Sequence, residues 1–238
     1  MTINNRLLAA LPADECERVL PLLDRVTFSL GEVVYESGAN LRHIYFPTTS
    51  VVSMLHAMED GSVAEAGLVG NDGVVGIALF LGGQTTPNRA VVQIAGDALR
   101  MDALLLHKEF RRARALHDLL LRYTQALITQ ISQIAACNRL HALEQRLCRC
   151  LLLCHDRVRA DEVVMTQELI ATMLGGRRES VTIAAGRLQQ AGLIHYVRGR
   201  IKILDRRGLE NAACECYRVV RGEVDRLTGG ATAATSTK

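Results

Sequence analysis

The chain has 238 residues, 49% of them hydrophobic, and a formal net charge of +3. This length suits one large domain or two modest ones, and no apolar stretch is long enough to span a membrane, so we expect a globular protein with no membrane partner. The N-terminal segment lacks a basic stretch followed by an apolar core, which argues against export. Seven cysteines, an odd number, do not form a disulfide framework, and we therefore expect a cytoplasmic protein.

The first 110 residues alternate β-rich pieces with turn signals. After an amphipathic start, these pieces occupy residues 27–30, 33–35, 43–46, 51–58, 63–69, 90–94 and 98–101. Many short strands at this spacing predict a β-sandwich or jelly roll. This half is acidic, because residues 1–110 hold 7 Lys or Arg against 13 Asp or Glu, a balance of −6.

A helical periodicity follows the β-rich half and predicts one long helix. Leu120, Leu127 and Ile134 recur every seven residues, with Tyr123 and Ile131 beside them. A seam of this length favours pairing with a second helix, most simply that of a symmetry mate in a homodimer. Packing of the same face against the β domain of the same chain is the alternative.

Residues 166–188 have the pattern of two short helices joined by a glycine turn. Thr166 is a good N-cap for the first helix, and Gly175 can adopt the positive φ that ends it. A second helix with a polar N-terminal face is what a helix-turn-helix protein inserts into the DNA major groove. The outward-facing candidates are Arg177, Arg178, Glu179, Ser180 and Thr182. An ordinary helical hairpin with a solvated charged face is the alternative.

A β-hairpin is predicted directly after this pair of helices. Residues 193–197 and 200–204 are β-rich and are separated by Arg198-Gly199, which suits a two-residue turn. A helix-turn-helix followed by a hairpin is a winged helix, in which Arg198, Arg200 and Lys202 are candidates for phosphate contacts. Residues 165–207 hold 8 Lys or Arg against 3 Asp or Glu, a balance of +5. The predicted partner is therefore double-stranded DNA.

These patterns divide the chain into four predicted segments. They are a β-roll sensory domain at residues 1–110, a dimerisation helix and hinge at 111–139, a winged helix-turn-helix domain at 140–228 and a disordered tail at 229–238. The hinge is predicted at Asn138, which interrupts the helical pattern and could cap a new helix. The tail is rich in Ala, Thr and Ser, a composition typical of disorder.

Five of the seven cysteines fall into two groups in the C-terminal half. Cys148, Cys150 and Cys154 form one group, and Cys214 and Cys216 form the other. On a helix Cys150 and Cys154 share a face while Cys148 points elsewhere, which is poor geometry for three metal ligands from one segment. We therefore predict free thiols and no metal site, with a structural metal or a redox sensor joining the two groups as the alternative.

The combination of β-roll, long helix, hinge and winged helix resembles the Crp/Fnr family of bacterial transcription regulators across nearly the whole chain. The stretches that carry the resemblance are residues 67–76 (GLVGNDGVVG), 178–181 (RESV) and 191–199 (AGLIHYVRG). The resemblance implies an α+β fold with an N-terminal double-stranded β-helix, a dimerisation helix and a C-terminal winged helix-turn-helix. It also implies a homodimer that binds a two-fold symmetric operator, senses a signal in its β-roll and contacts RNA polymerase.

Two residues of the second helix match base-reading positions of the family. Arg178 matches the arginine that reads a guanine, and Glu179 matches the glutamate that accepts from a cytosine amine. Ile183 stands where catabolite-activator-type members carry a further base-contacting arginine. The preferred half-site should therefore differ from theirs.

The effector side departs from the cyclic-nucleotide-binding members of the family. Ile77 follows Gly76, where those members have a glutamate for the ribose hydroxyl, and Arg89 before Ala90 is displaced by one position, which turns a strand residue to the other face. We expect no cyclic nucleotide, with Arg89 holding another anion as the alternative. Only Cys16 lies in the region of the family iron–sulfur ligands, and the histidines form no haem-ligand pattern, so neither cofactor is expected.

An enzyme built on the β-roll is a rival hypothesis. The cupin type needs clustered metal ligands, but His43 and His56 stand singly, and the sequence has no nucleophile–base set. We therefore predict no catalytic activity. A winged helix that binds protein instead of DNA is the other rival, and the basic outer face argues against it.

Overall fold

The computed structural model describes residues 3–158 and 162–229. Two short helices, α1 (Arg6–Ala9) and α2 (Ala13–Val19), precede a β-roll. Its strands are β1 (Asp24–Phe28), β2 (Val33–Tyr35), β3 (His43–Pro47), β4 (Val51–Ala57), β5 (Val63–Val69), β6 (Arg89–Ile94) and β7 (Gly96–Asp102). One antiparallel sheet has the order β1-β7-β3 and the other the order β2-β6-β4-β5. The predicted N-terminal jelly roll is confirmed.

The β-roll core forms because apolar side chains alternate along the strands of both sheets. Ile44 and Phe46 on β3 are fully buried, while Tyr45 between them is only half-buried. Val52 and Met54 supply the buried residues of the opposite sheet. This period of two places every second side chain in the space between the sheets.

Helices α3 (Ala103–Phe110), α4 (Ala115–Leu140) and α5 (Leu143–Arg157) follow the β-roll. None of the described helices is long and apolar enough to cross a membrane. The helix boundary predicted at Asn138 is wrong, because α4 continues to Leu140 and the interruption before α5 lies at His141 and Ala142. The hinge itself stays a prediction. The helix continues because the His141 N–H still bonds to the Cys137 carbonyl at 3.1 Å, and Arg146 donates to the Asn138 carbonyl at 2.8 Å.

The C-terminal part is a winged helix. Its elements are β8 (Glu162–Val164), α6 (Gln167–Leu174), α7 (Arg178–Gln190), β9 (Ile194–Val197), β10 (Arg200–Ile203), α8 (Arg206–Ala212) and α9 (Cys216–Thr228). The strand order is β8-β10-β9, and β8 is an element that the sequence analysis did not predict. The domain boundaries stay a prediction, and residues 230–238 of the predicted tail lie outside the described residues.

Helix α4 packs against the β-roll on one side and against α9 on another side. Four of the five residues of the predicted dimer seam, Leu120, Tyr123, Leu127 and Ile134, are buried within the single chain, and Ile131 packs partly buried against the β-roll core. The structure thus agrees with the alternative prediction, in which this face of α4 packs inside its own chain. The large apolar side chains that α4 exposes at its middle are Leu121 and Ile128.

The winged helix also packs against the β-roll. Val51 of β4 and Leu68 of β5 belong to the same hydrophobic cluster as Leu151 of α5 and Met173 of α6. The first helix of the helix-turn-helix therefore rests on the outer surface of the β2-β6-β4-β5 sheet. This contact leaves α7 on the far side, facing solvent.

Candidate nucleic-acid interface

Helix α7 is amphipathic, and its two faces have separate roles. The inward face consists of Val181, Ala184, Ala185 and Leu188, all of them buried. It packs on α5 and α6, which holds the helix without using its polar side chains. The five outward residues that the sequence predicted, Arg177, Arg178, Glu179, Ser180 and Thr182, are exposed. The polar N-terminal end of α7 is therefore available to a ligand.

The turn before α7 has the geometry that the sequence predicted. The Thr166 hydroxyl accepts from the Leu169 N–H at 3.2 Å and caps α6. Gly175 adopts the left-handed conformation with φ of +57°, which a β-carbon would disfavour. Thr182 has a further role, because its hydroxyl lies 3.0 Å from Gln167 Oε1 and ties α7 to α6.

The wing is a two-residue hairpin. Arg198 and Gly199 both have positive φ, +50° and +78°, as a type I′ turn requires. Arg198, Arg200 and Lys202 are exposed, as a phosphate-contacting wing needs. The added strand β8 places Glu162 opposite Lys202, and its Oε1 lies 2.5 Å from Arg200 Nη1. One wing cation is thus paired within the protein.

A groove of about 480 Å³ lies between the start of α6, the start of α7 and the wing. Arg178 and Arg198 both line it, together with Glu168, so the fold brings a cation of α7 and a cation of the wing to one concave surface. Tyr196 forms part of the wall, and its hydroxyl donates to the Met165 carbonyl at 3.0 Å. Burial raises the pKa of Tyr196, which keeps this hydroxyl protonated as a donor.

Comparison with known families agrees with this geometry. Residues 145–212 match the Crp-like helix-turn-helix domain, a span that runs from the first turn of α5 to the end of α8. The chain carries a Crp-like helix-turn-helix domain. Among curated protein sequences, none matches the chain significantly.

Solved structures extend the likeness beyond the Crp-like domain to the β-roll and α4. A CRP-family transcriptional regulator from Thermus thermophilus has a TM-score of 0.65 at 23% identity, covering 80% of this chain and 96% of its own. FixK2 from Bradyrhizobium japonicum has a TM-score of 0.67 at 16% identity, covering 81% and 98%. The regulator CLP from Xanthomonas campestris, described as responsive to c-di-GMP, has a TM-score of 0.63 at 17% identity, covering 82% and 100%. The predicted resemblance to Crp/Fnr transcription regulators is confirmed by the domain match and the shared fold.

The candidate effector residues do not all meet at one cavity. A cavity of about 340 Å³ between the β-roll and α4 is lined by Gly76 and Ile77, and Leu127 and Ile131 close its α4 side. Ala90 is buried in the sheet, and Arg89, which is not among the described lining residues, faces Glu36 with Nε 3.5 Å from Oε2. The one-position displacement noted in the sequence thus turns the arginine out of the cavity.

The polar part of that cavity is formed by Tyr35, Asn88 and two threonines, and His56 also lies on its wall. The Tyr35 hydroxyl donates to Asn88 Oδ1 at 2.7 Å, and Asn88 Nδ2 donates to Thr86 Oγ1 at 2.8 Å. Burial raises the pKa of Tyr35 to about 12. Most of the remaining wall is apolar, which suits a ligand with little charge.

One functional candidate escaped the sequence analysis. Cys214 and Cys216 do not meet Cys148, Cys150 and Cys154; they meet Cys137 and His141 at the end of α4. The signal that could have found this pairing is the spacing of Cys137 and His141, which places both side chains on one helical face. Cys214 lies 77 residues from Cys137 along the chain, and only the tertiary fold brings the two together.

Proposed function

We propose that the protein is a sequence-specific DNA-binding transcription regulator that acts as a homodimer and whose β-roll senses an effector. The observation that carries the proposal is the exposed polar end of α7, which lines the same groove as the wing and contributes Arg178 beside Arg198. Arg178 and Glu179 are the proposed base readers, since a guanidinium can engage guanine O6 and N7 together and a carboxylate accepts from a cytosine amine. Arg198, Arg200 and Lys202 are the proposed phosphate contacts.

The proposed homodimer uses the exposed side of α4. Leu121 and Ile128 are 41% and 59% exposed and stand seven residues apart, so they lie on one stripe. Two such stripes from a pair of chains would bury each other around a two-fold axis. A dimer of this kind places two α7 helices to read two half-sites, which gives the operator its symmetry.

The proposed effector occupies the cavity between the β-roll and α4 and is a largely apolar small molecule. Support comes from the wall, where mostly apolar side chains, together with His56, surround the Tyr35, Asn88 and Thr86 polar cluster. The described lining residues include no carboxylate, arginine or lysine. A ligand touching Leu127 and Ile131 would act on α4 directly. Thermal unfolding with added cyclic AMP tests the alternative, and saturable stabilisation by it would contradict this proposal.

Selection from a random double-stranded DNA library tests the proposed function. The purified protein should recover an inverted repeat with half-sites centred about 34 Å apart, one turn of the duplex or a multiple of it. A matched control is the double variant Arg178→Ala, Glu179→Ala, which keeps the buried face of α7 and should recover no consensus. Recovery of unrelated sequences by the wild-type protein would contradict the proposal.

Three further parts of the proposed function rest on sequence and family resemblance. A contact with RNA polymerase follows from the resemblance to Crp/Fnr regulators. The absence of enzymatic activity and a cytoplasmic location remain predictions from residue pattern and cysteine usage. None of the three is needed for the DNA-binding proposal.

A further inference from the structure

Four metal-ligating side chains from two distant segments converge at the end of the long helix. Cys137 and His141 come from the end of α4, and Cys214 and Cys216 come from the connection between α8 and α9. Their ligand atoms all lie within 4.8 Å of one another. Cys137 Sγ is 3.4 Å from Cys214 Sγ, and His141 Nδ1 is 3.4 Å from Cys216 Sγ.

Both segments are held in place by packing that does not involve these side chains. Cys137 lies in the last turn of α4, and His141 is the C-cap of that helix, whose N–H still bonds to the Cys137 carbonyl at 3.1 Å. Cys214 and Cys216 flank the N-cap of α9, and α9 lies along α4 through Val224 and Ala126. The cluster is thus fixed from both sides by a helix pair.

The arrangement fits a tetrahedral zinc ion. Bonds of about 2.3 Å to sulfur give a tetrahedron with edges of about 3.8 Å, close to the 3.4 Å separations found here. We propose that Cys137, His141, Cys214 and Cys216 form a structural Zn²⁺ site. Four protein ligands complete the coordination, so the site is of the closed type that holds segments together. Three sulfurs and one nitrogen select zinc over the hard cations that prefer oxygen.

The surroundings supply the outer interactions that such a site needs. His141 Nε2 lies 3.4 Å from Glu215 Oε1, so a carboxylate orients the ring with Nδ1 toward the thiols. Gln133 Nε2 donates to Cys216 Sγ at 3.2 Å, a contact that stabilises a thiolate. The three cysteines are buried, whereas the His141 side chain is 20% exposed. A metal ion could therefore reach the site from solvent past His141.

A buried cation faces the same region. Three thiolates and one Zn²⁺ carry a net charge of −1. Arg149 is 3% exposed, interacts electrostatically with Cys137, and has Nε and Nη1 without a hydrogen-bond partner among the described residues. A buried guanidinium needs a counter-charge, and the metal-loaded site would provide one in addition to Glu65, with which Arg149 also interacts electrostatically.

A disulfide between Cys137 and Cys214 is the competing account of the cluster. It would require the two sulfurs to approach to about 2.05 Å. It would also leave Cys216 and the inward-facing His141 without a role. Zinc uses all four groups, and as each zinc–sulfur bond forms, the thiol proton passes to solvent.

The zinc site would fasten the end of α4 to the start of α9. Because α4 ends where the chain enters the Crp-like domain, the ion would fix how that domain sits on the long helix. This role is separate from DNA binding, and its test needs no DNA.

Native mass spectrometry of the untagged 238-residue chain, purified without chelator, is the decisive experiment. We expect one zinc ion per chain, and reconstitution with Co²⁺ in place of zinc should give thiolate-to-metal charge transfer and the visible bands of tetrahedral cobalt. Wild-type protein without metal after incubation with Zn²⁺, or with the mass loss of a disulfide, would overturn the proposal.

Variants test which residues hold the ion. Cys214→Ser and Cys216→Ser should reduce bound zinc to background, whereas the control Cys16→Ser, at a half-buried thiol in α2, should keep it. His141→Cys should retain zinc because it restores a fourth ligand, and this variant keeps the proposal testable if the serine variants fold poorly. Unchanged zinc content in Cys214→Ser and Cys216→Ser would contradict the assignment.

Discussion

Arg157 and Asp72 form a buried two-point ion pair that joins α5 to the β-roll. Arg157 Nε lies 3.0 Å from Asp72 Oδ1, and Nη2 lies 2.8 Å from Oδ2. Arg157 also donates to Gln130 Oε1 of α4 at 2.9 Å. Gly70 permits this approach, because a β-carbon there would come within 2.6 Å of the Arg157 side chain. One guanidinium therefore links three parts of the chain.

Replacing Asp72 with Asn should destabilise the protein strongly. The substitution keeps the size of the side chain but leaves the charge of Arg157, which is only 3% exposed, without its partner. The free energy of unfolding should therefore fall by about 3 kcal/mol or more. Urea unfolding should show a lower midpoint with an unchanged slope. The control Asp24→Asn removes the partner of Arg100 from an exposed pair at 3.6 Å and should change little. Equal effects of the two substitutions would contradict the role given to the buried pair.

Glu65 should make the stability of the protein depend on pH. It is buried on β5, where the Ser53 hydroxyl donates to it at 2.7 Å, and burial raises its pKa from 4.5 to about 7. Because the folded state holds this proton more tightly than the unfolded state, the free energy of unfolding falls as pH rises from 4.5 to about 7.

The variant Glu65→Gln should remove that dependence. At pH near 5 its stability should be close to wild type, and at pH near 8 it should exceed wild type by about 3 kcal/mol. Denaturant unfolding at the two pH values measures the difference. Glu59→Gln, in an exposed turn, removes the same charge at the surface and controls for the change in net charge. A Glu65→Gln effect of the same size at both pH values would rule out the raised pKa as its cause.

Glu162 should weaken DNA binding by pairing with the wing. Its carboxylate holds Arg200 and lies opposite Lys202, so Glu162→Gln should free a cation for phosphate. We expect up to about fivefold tighter binding on specific and random DNA alike, with a steeper salt dependence. Fluorescence anisotropy over a salt series measures both. Glu59→Gln, far along the chain in the β-roll, should leave affinity unchanged, and an equal gain in the two variants would point to net charge instead.

The sequence predicted much of the fold because its signals are local. Alternating apolar residues and turn glycines located the strands of the β-roll, and Thr166 and Gly175 located the ends of α6. Strand β8 was missed, since Glu162-Val163-Val164 is too short to show a period. Partners were harder to predict than elements, because Arg157 meets Asp72 from 85 residues away.

The heptad on α4 shows the same limit. A stripe of Leu120, Leu127 and Ile134 indicates that this face is buried, and it is. The pattern does not identify what buries this face, because packing against a β-roll and packing against a second helix both require apolar residues at these positions. The Cys–His cluster was missed for a related reason, as its two halves lie 77 residues apart.

The exposed stripe of α4 should control oligomeric state. The double variant Leu121→Glu, Ile128→Glu places charges on the proposed seam and should convert the dimer to a monomer that keeps its fold, since both positions are exposed in the single chain. Light scattering after size exclusion measures the mass. Leu104→Glu on α3, at a position 78% exposed, is the control and should stay dimeric. A double variant that remains dimeric would place the interface elsewhere.

Base reading by Arg178 is the central claim, and comparing specific with random DNA tests it most directly. Arg178→Ala should lose about 1 to 3 kcal/mol of binding free energy on the selected operator and much less on random DNA. Lys202→Ala, a matched loss of one charge on the wing, should weaken both by the same factor and reduce the salt slope by about 1. If Arg178→Ala instead weakens binding to the two DNAs equally, α7 does not read the operator through this residue.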